Sequence, residues 1–129
     1  MIAPPSFGSH KSMRLEEVAL LPRVMREEGS GTRRQFEEIL LREGLDPQGL
    51  AIAGLFGSTD AIKQAVKAGM GLSVISRRAV LDELKCGLLR EIRIRKADMK
   101  RRFFVVTHRK RTLPHIYKSF LEHILPGAR

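Results

Sequence analysis

Two short stretches hold the residues best suited to chemistry. Gly29-Ser30-Gly31-Thr32-Arg33 and Gly57-Ser58-Thr59-Asp60 each set small hydroxyl side chains beside glycine, after an apolar run and before an amphipathic one. A junction of that kind, leading into a helix, aims unpaired backbone N–H groups at one point with the positive end of the helix dipole behind them. The chemistry it suits is holding an anion by hydrogen bonds. Ser58 and Thr59 are equally suited to cap a helix start, and Asp60 puts negative charge where the dipole welcomes it. On the residues alone, two capped helix starts without a ligand remain an open alternative. What favours a ligand is that the two junctions should follow neighbouring strands.

Other chemistries lack their residues. The first junction has neither the Gly-Lys-Ser/Thr ending of a phosphate loop nor the third glycine of a dinucleotide fingerprint. His10, His108, His115 and His123 show no close metal-ligand spacing, and Cys86 has no second cysteine, so no metal and no cofactor are expected. No G-x-S-x-G elbow occurs, and the expectation is a binding protein, not an enzyme.

The elements that must position these loops can be read from periodicity. Ala61, Ile62, Ala65, Val66 and Ala68 recur at helical spacing, and Gly69 and Gly71 stop that helix. The apolar run 51–56 before it and Leu72, Val74 and Ile75 after it complete a strand, helix, strand unit of the size of a parallel crossover. Lys63 and Lys67 are expected on the solvated face of its helix. Upstream, residues 23–27 suggest a strand, and Phe36, Ile39 and Leu40 the apolar stripe of a second helix. Open α/β sheets bind ligands where strand ends meet helix starts, which is where Ser30 and Ser58 fall.

Elsewhere, residues 1–3 predict a short strand ended by Pro4-Pro5, residues 6–12 a turn, and residues 15–20 a helix of one or two turns stopped by Pro22. Residues 78–85 predict a short helix and residues 88–94 one alternating strand. In that strand Leu88, Arg90, Ile92 and Ile94 lie on one side and Leu89, Glu91 and Arg93 on the other. Phe103-Phe104-Val105-Val106-Thr107 is the strongest strand candidate, being aromatic and β-branched throughout. The last helix carries Ile116, Tyr117, Phe120, Leu121, Ile124 and Leu125 on one wide apolar face.

At 129 residues the chain is long enough for one core, and its 43% apolar content is that of a globular protein. No apolar run reaches the ~20 residues that cross a bilayer, and the N-terminus has no basic leader or long apolar segment. With one cysteine, a cytoplasmic protein without membrane contact is expected. The net charge of +10 is concentrated: residues 85–111 carry nine of those charges. That basic cluster permits a nucleic-acid-binding module as one reading. It lacks interleaved stacking aromatics and any helix-turn-helix or zinc-finger pattern.

Three runs taken together identify a family. REEGSGTRRQFEEIL (26–40), GSTDAIKQAVKAGMGLSVISRRAV (57–80) and RFFVVTHRKR (102–111) with the helix after it closely resemble the effector-binding region of LysR-type transcriptional regulators. The motifs fall in the right order and spacing over essentially the whole chain. The resemblance implies an α/β fold, a Rossmann-like βαβ lobe of a type II periplasmic-binding-protein-like effector domain, with two crossing strands and a C-terminal helix. It places residues 13–95 in lobe two, residues 1–5 and 103–108 in the crossing strands, and residues 114–125 in a helix that packs on lobe one. Nothing here resembles the helix-turn-helix, the linker helix or the first half of lobe one.

By the same resemblance, a small-molecule effector, expected to be anionic, binds at Ser30, Gly31, Thr32, Ser58, Thr59 and Gln64. Lobe closure then adjusts transcription in the full-length protein, and DNA is met only through a helix-turn-helix outside this sequence. Because the apolar face of the last helix needs cover, a homo-oligomer is expected, a dimer by symmetry. A solute-binding protein of a transport system, which shares the fold, is the alternative.

Overall fold

The structure is a computed structural model describing residues 1–100, 103–108, 110 and 112–125. In chain order the elements are β1 (Ile2–Ala3), β2 (Ser12–Arg14), α1 (Leu15–Ala19), β3 (Arg23–Arg26), α2 (Gly31–Arg42) and β4 (Ile52–Phe56). There follow α3 (Thr59–Lys67), α4 (Leu81–Lys85), β5 (Arg90–Glu91), β6 (Arg93–Arg95) and α5 (His115–Ile124). A 3-10 turn over Arg77–Val80 leads into α4.

The centre is a small sheet built outward from β3. On one side β3 pairs in parallel with β4, from Arg23 opposite Ile52 to Arg26 opposite Phe56. On the other it meets Leu72 through a parallel bridge, and Ser73 in turn bridges Ile2 antiparallel. β1 then pairs antiparallel with β5. The segment after Gly71 is therefore a pair of bridges rather than the full strand expected there. The carboxyl ends of β4, β3 and the 72–75 segment all face the same way, because each is parallel to its neighbour.

Strand alternation divides the core between two faces. Val24 points to one and packs with Ile62, Ala65 and Val66 of α3, together with Ile2, Val80 and Leu89. Met25, its neighbour, points to the other and packs with Phe36, Ile39 and Leu40 of α2, with Leu15 and Leu50. The helical stripes read from periodicity are thus the two faces that sandwich the sheet. Gly71, at φ +152°, makes the close approach that lets Leu72 reach β3, since a Cβ there would lie 2.4 Å from the Pro22 carbonyl oxygen.

Several expectations fail for identifiable reasons. Residues 88–94 are not one alternating strand. The ladder changes partner at Ile92, whose N–H donates to Met1 O (2.9 Å), and β6 goes on to pair with β2, a strand that opens at the end of the expected turn. That change lets Leu89 and Ile92, expected on opposite sides, both be buried. The predicted strand at 103–107 is not a strand: residues 103–108 join no ladder among the described residues. Phe103 and Phe104 are 81% and 82% exposed; a β-forming sequence needs a partner strand, and none of the described strands pairs with this one. Lys63 is not simply solvated, for its Nζ lies 2.9 Å from both Asp60 and Glu83 and ties α3 to α4. The last helix, α5, forms as expected and leaves Ile116, Tyr117, Phe120, Ile124 and Leu125 exposed.

Candidate functional site

The two junctions lie side by side because β3 and β4 are adjacent and parallel. At the end of β3 the chain turns through Gly29, at φ +86°, and enters α2 with Ser30 as its N-cap. Ser30 N–H closes the turn by donating to Glu27 O (3.3 Å), while its hydroxyl makes no capping bond to α2. The amide is thus engaged within the loop, and the hydroxyl is the group Ser30 can offer a ligand. Gly31 opens α2 exposed, and Thr32 follows, half-buried.

At the end of β4 the arrangement differs. Ser58 Oγ accepts from Ala61 N–H (3.1 Å) and caps α3, so the structural reading holds for this hydroxyl. Thr59 is half-buried and its Oγ1 accepts from Arg26 Nη1 (3.4 Å), while Arg26 Nη2 donates to Gly57 O (3.3 Å). Arg26 itself is clamped by Glu27 through two hydrogen bonds of 2.7 Å. That fork raises the pKa of the arginine and holds the Glu27 carboxyl below the usual carboxylate range. Arg26 thus ties one loop to the other. Gln64 is exposed and lies five residues beyond Thr59, about 7 Å along the helix axis. It is not gathered with the loops.

A third segment meets the start of α2, although Ser30, Ser58 and Thr59 do not line the groove that it forms there. Thr32 and Gln35 of α2, Ser76, Arg77 and Arg78 after the 72–75 segment, and Lys100 with Phe103 line a groove of about 590 Å³. Lys100 is held at its edge where Gln35 Nε2 donates to Lys100 O (2.8 Å). Arg77 pairs with Glu91 (3.0 Å) across the same groove. The volume is that of a pocket for a small molecule, with Arg77, Arg78 and Lys100 as cations, Thr32 and Ser76 as hydroxyls, and a largely apolar wall that includes Val74, Ile75 and Met99. Sequence reasoning did not single out Ser76, Arg77 and Arg78, although Ser76, like Ser58, is a hydroxyl that soon follows an apolar run. Among the described residues no group of three or more His, Cys, Asp or Glu is placed to hold a metal.

Residues 1–129 match the family described as LysR substrate binding domain. The chain belongs to that family. It is 34% identical over 125 residues to the HTH-type transcriptional regulator YeiE of Escherichia coli K12, covering 97% of this chain and 42% of that protein. It is 41% identical over 110 residues to a protein of Anaeromyxobacter dehalogenans named phosphonates import ATP-binding protein PhnC, covering 84% of this chain and 22% of that one. In structure it resembles the CcmR regulatory domain of Synechocystis PCC6803, solved in complex with 2-PG. The TM-score is 0.80 at 29% identity, over 97% of this chain and 60% of that one. The α/β, type II periplasmic-binding-protein-like fold follows from that likeness. Residues 1–129 span about two-fifths of the length of regulators such as YeiE. Among the described residues no helix is long and apolar enough to cross a membrane.

Proposed function

We propose that this LysR-type chain is the lobe-two part of an effector-sensing region in a cytoplasmic transcriptional regulator, and that its effector is a small anionic metabolite. Residues 13–95 form that lobe, residues 1–5 and 103–108 cross to a second lobe, and the helix at 114–125 packs there. The observation that carries the reading is that the start of α2 (Thr32, Gln35) and the Ser76–Arg78 turn line one groove with three cations, while Arg26 ties the β4–α3 loop to the end of β3. Ser30 Oγ, the Gly31 and Thr32 backbone, Thr59 and the Ser76–Arg78 turn hold the anion, and Ser58 holds the helix start that presents it. Gln64 stands at the margin. A ligand that bridges two lobes binds the closed state better, and by that differential affinity shifts the regulator between states. DNA contact falls to a helix-turn-helix that residues 1–129 do not resemble, and the role is binding rather than catalysis.

The test is calorimetric titration of the chain with 2-phosphoglycolate, the anion of the CcmR complex, beside neutral glycerol. Saturable binding of the anion alone, weakened at least tenfold in Ser30→Ala/Thr32→Val, supports the reading. Equal responses to both probes overturn it. The likeness to part of a protein named for phosphonate import supports a transport-linked solute-binding role as a second reading. Tighter binding of a simple alkylphosphonate than of 2-phosphoglycolate would favour it.

A further inference from the structure

Val74, Ile75 and Met99 are half-buried, and each is anchored from behind. Val74 and Met99 pack on the cluster of Phe36, Ile39 and Leu40, and Ile75 packs on that of Ile62 and Val66. The surface they leave uncovered lines the groove beside the Ser76–Arg78 turn, where Phe103 joins them. The cations of the same groove are not equivalent. Arg77 is answered by Glu91 at 3.0 Å. Arg78 and Lys100 are exposed, and neither has an ion-pair partner among the described residues. Asp98, two residues before Lys100, accepts from the Lys100 backbone N–H (3.0 Å) instead. With Gln35 donating to the carbonyl, the Lys100 backbone is held from both sides while its ammonium stays uncompensated.

The groove therefore sets two unanswered positive charges beside an apolar wall that the core already holds in place. A compact oxyanion would answer the charges and leave water against the wall. A groove of about 590 Å³ suits a ligand with a body as well as a head. A body that displaces the water gains affinity in proportion to the apolar area it covers. Because the wall is anchored, little ordering is lost on contact. We infer that the effector is an amphipathic anion. Its oxyanion head is held at Thr32, Arg78 and Lys100, and its hydrocarbon body, a ring or branched chain, lies on Val74, Ile75 and Met99. This inference rests on the anion-binding reading of the groove and narrows it to a chemical class.

Calorimetric titration of the chain with methyl phosphate, phenyl phosphate and benzyl alcohol tests it. The first two share a head, and the third offers a ring without charge. Phenyl phosphate should bind roughly tenfold tighter than methyl phosphate, a gain that needs only about 55 Å² of apolar surface to leave water. Benzyl alcohol should give no saturable heat. In Met99→Gln/Phe103→Ser the ratio of the two phosphates should fall to about threefold or less. Equal affinities for the two phosphates would overturn the amphipathic class and leave the anion reading standing. A ratio unchanged in the double variant would remove the body from this wall. Benzyl alcohol binding as tightly as phenyl phosphate, or no binding of either phosphate, would overturn the anion reading and this inference with it.

Discussion

Arg26 Nη1 lies 3.4 Å from Thr59 Oγ1, and that contact joins the end of β3 to the first turn of α3. The guanidinium is oriented for it by the Glu27 fork, so neither loop is positioned alone. Arg26→Met should loosen Gly57–Asp60 while leaving the β3–β4 ladder intact. Amide hydrogen exchange in that loop should quicken about fivefold, the equivalent of one net hydrogen bond. Arg26→Lys should not restore protection, since an ammonium cannot hold Glu27 and reach Thr59 with a planar fork. Unchanged exchange in both variants would mean that the loops are set independently.

Gly71 and Gly69 offer a paired comparison. Both have positive φ, but a Cβ on Gly71 meets the Pro22 carbonyl at 2.4 Å, whereas one on Gly69 meets nothing within 4 Å. Gly71→Ala should cost about 2–3 kcal/mol in urea unfolding and Gly69→Ala about 1 kcal/mol. Equal costs would show that conformation alone, not the approach to β3, fixes the glycine.

Acid should destabilise the chain through a small set of carboxylates. The Lys63 ammonium holds Glu83 below its ordinary value, and Arg26 does the same for Glu27. A carboxyl depressed in the folded state contributes stability that is fully present above its unfolded value, here 4.5, and lost as pH falls through the folded one. Lys63, raised by Asp60 and then Glu83, contributes below 10.5 and loses its share as pH rises above it. A Tm profile should therefore be flat near neutrality and fall below pH 4.5. Lys63→Met should flatten both limbs, and limbs of unchanged slope would remove this ion pair from the account.

The α5 face carries the last prediction. Tyr117 and Phe120 are more than half exposed, and burying a large side chain of this kind is worth roughly 1.5–3 kcal/mol. We expect the chain to self-associate through this face, most simply as a symmetric dimer. Sedimentation equilibrium should give more than 14.6 kDa for the unaltered chain and a monomer for Phe120→Asp, with the same circular dichroism in both. A monomeric unaltered chain at high concentration would leave the face without a partner copy.

Local pattern alone settled much of this protein. The 3.6-residue recurrence of Phe36, Ile39 and Leu40, and of Ile62, Ala65 and Val66, located both helices and the faces they bury. Small hydroxyls before those runs located the loops, and the motifs around them located the family. These features are legible because each depends on neighbours within one or two turns. The tertiary structure decided what depends on distant partners. Residues 103–107 have every local preference for a strand, yet ladder bonds need a second backbone, and none of the described strands supplies one. Arg23 sits in a strand start where sequence gives no reason to bury a cation, and only the closure of α1 and α2 over β3 puts it inside. Ser76 to Arg78 join the groove for the same reason: the chain reaches them long after Ser30, and the sheet brings their strand ends together. Periodicity reports which face of an element is apolar. Which charges that face will meet is set by the packing of whole elements.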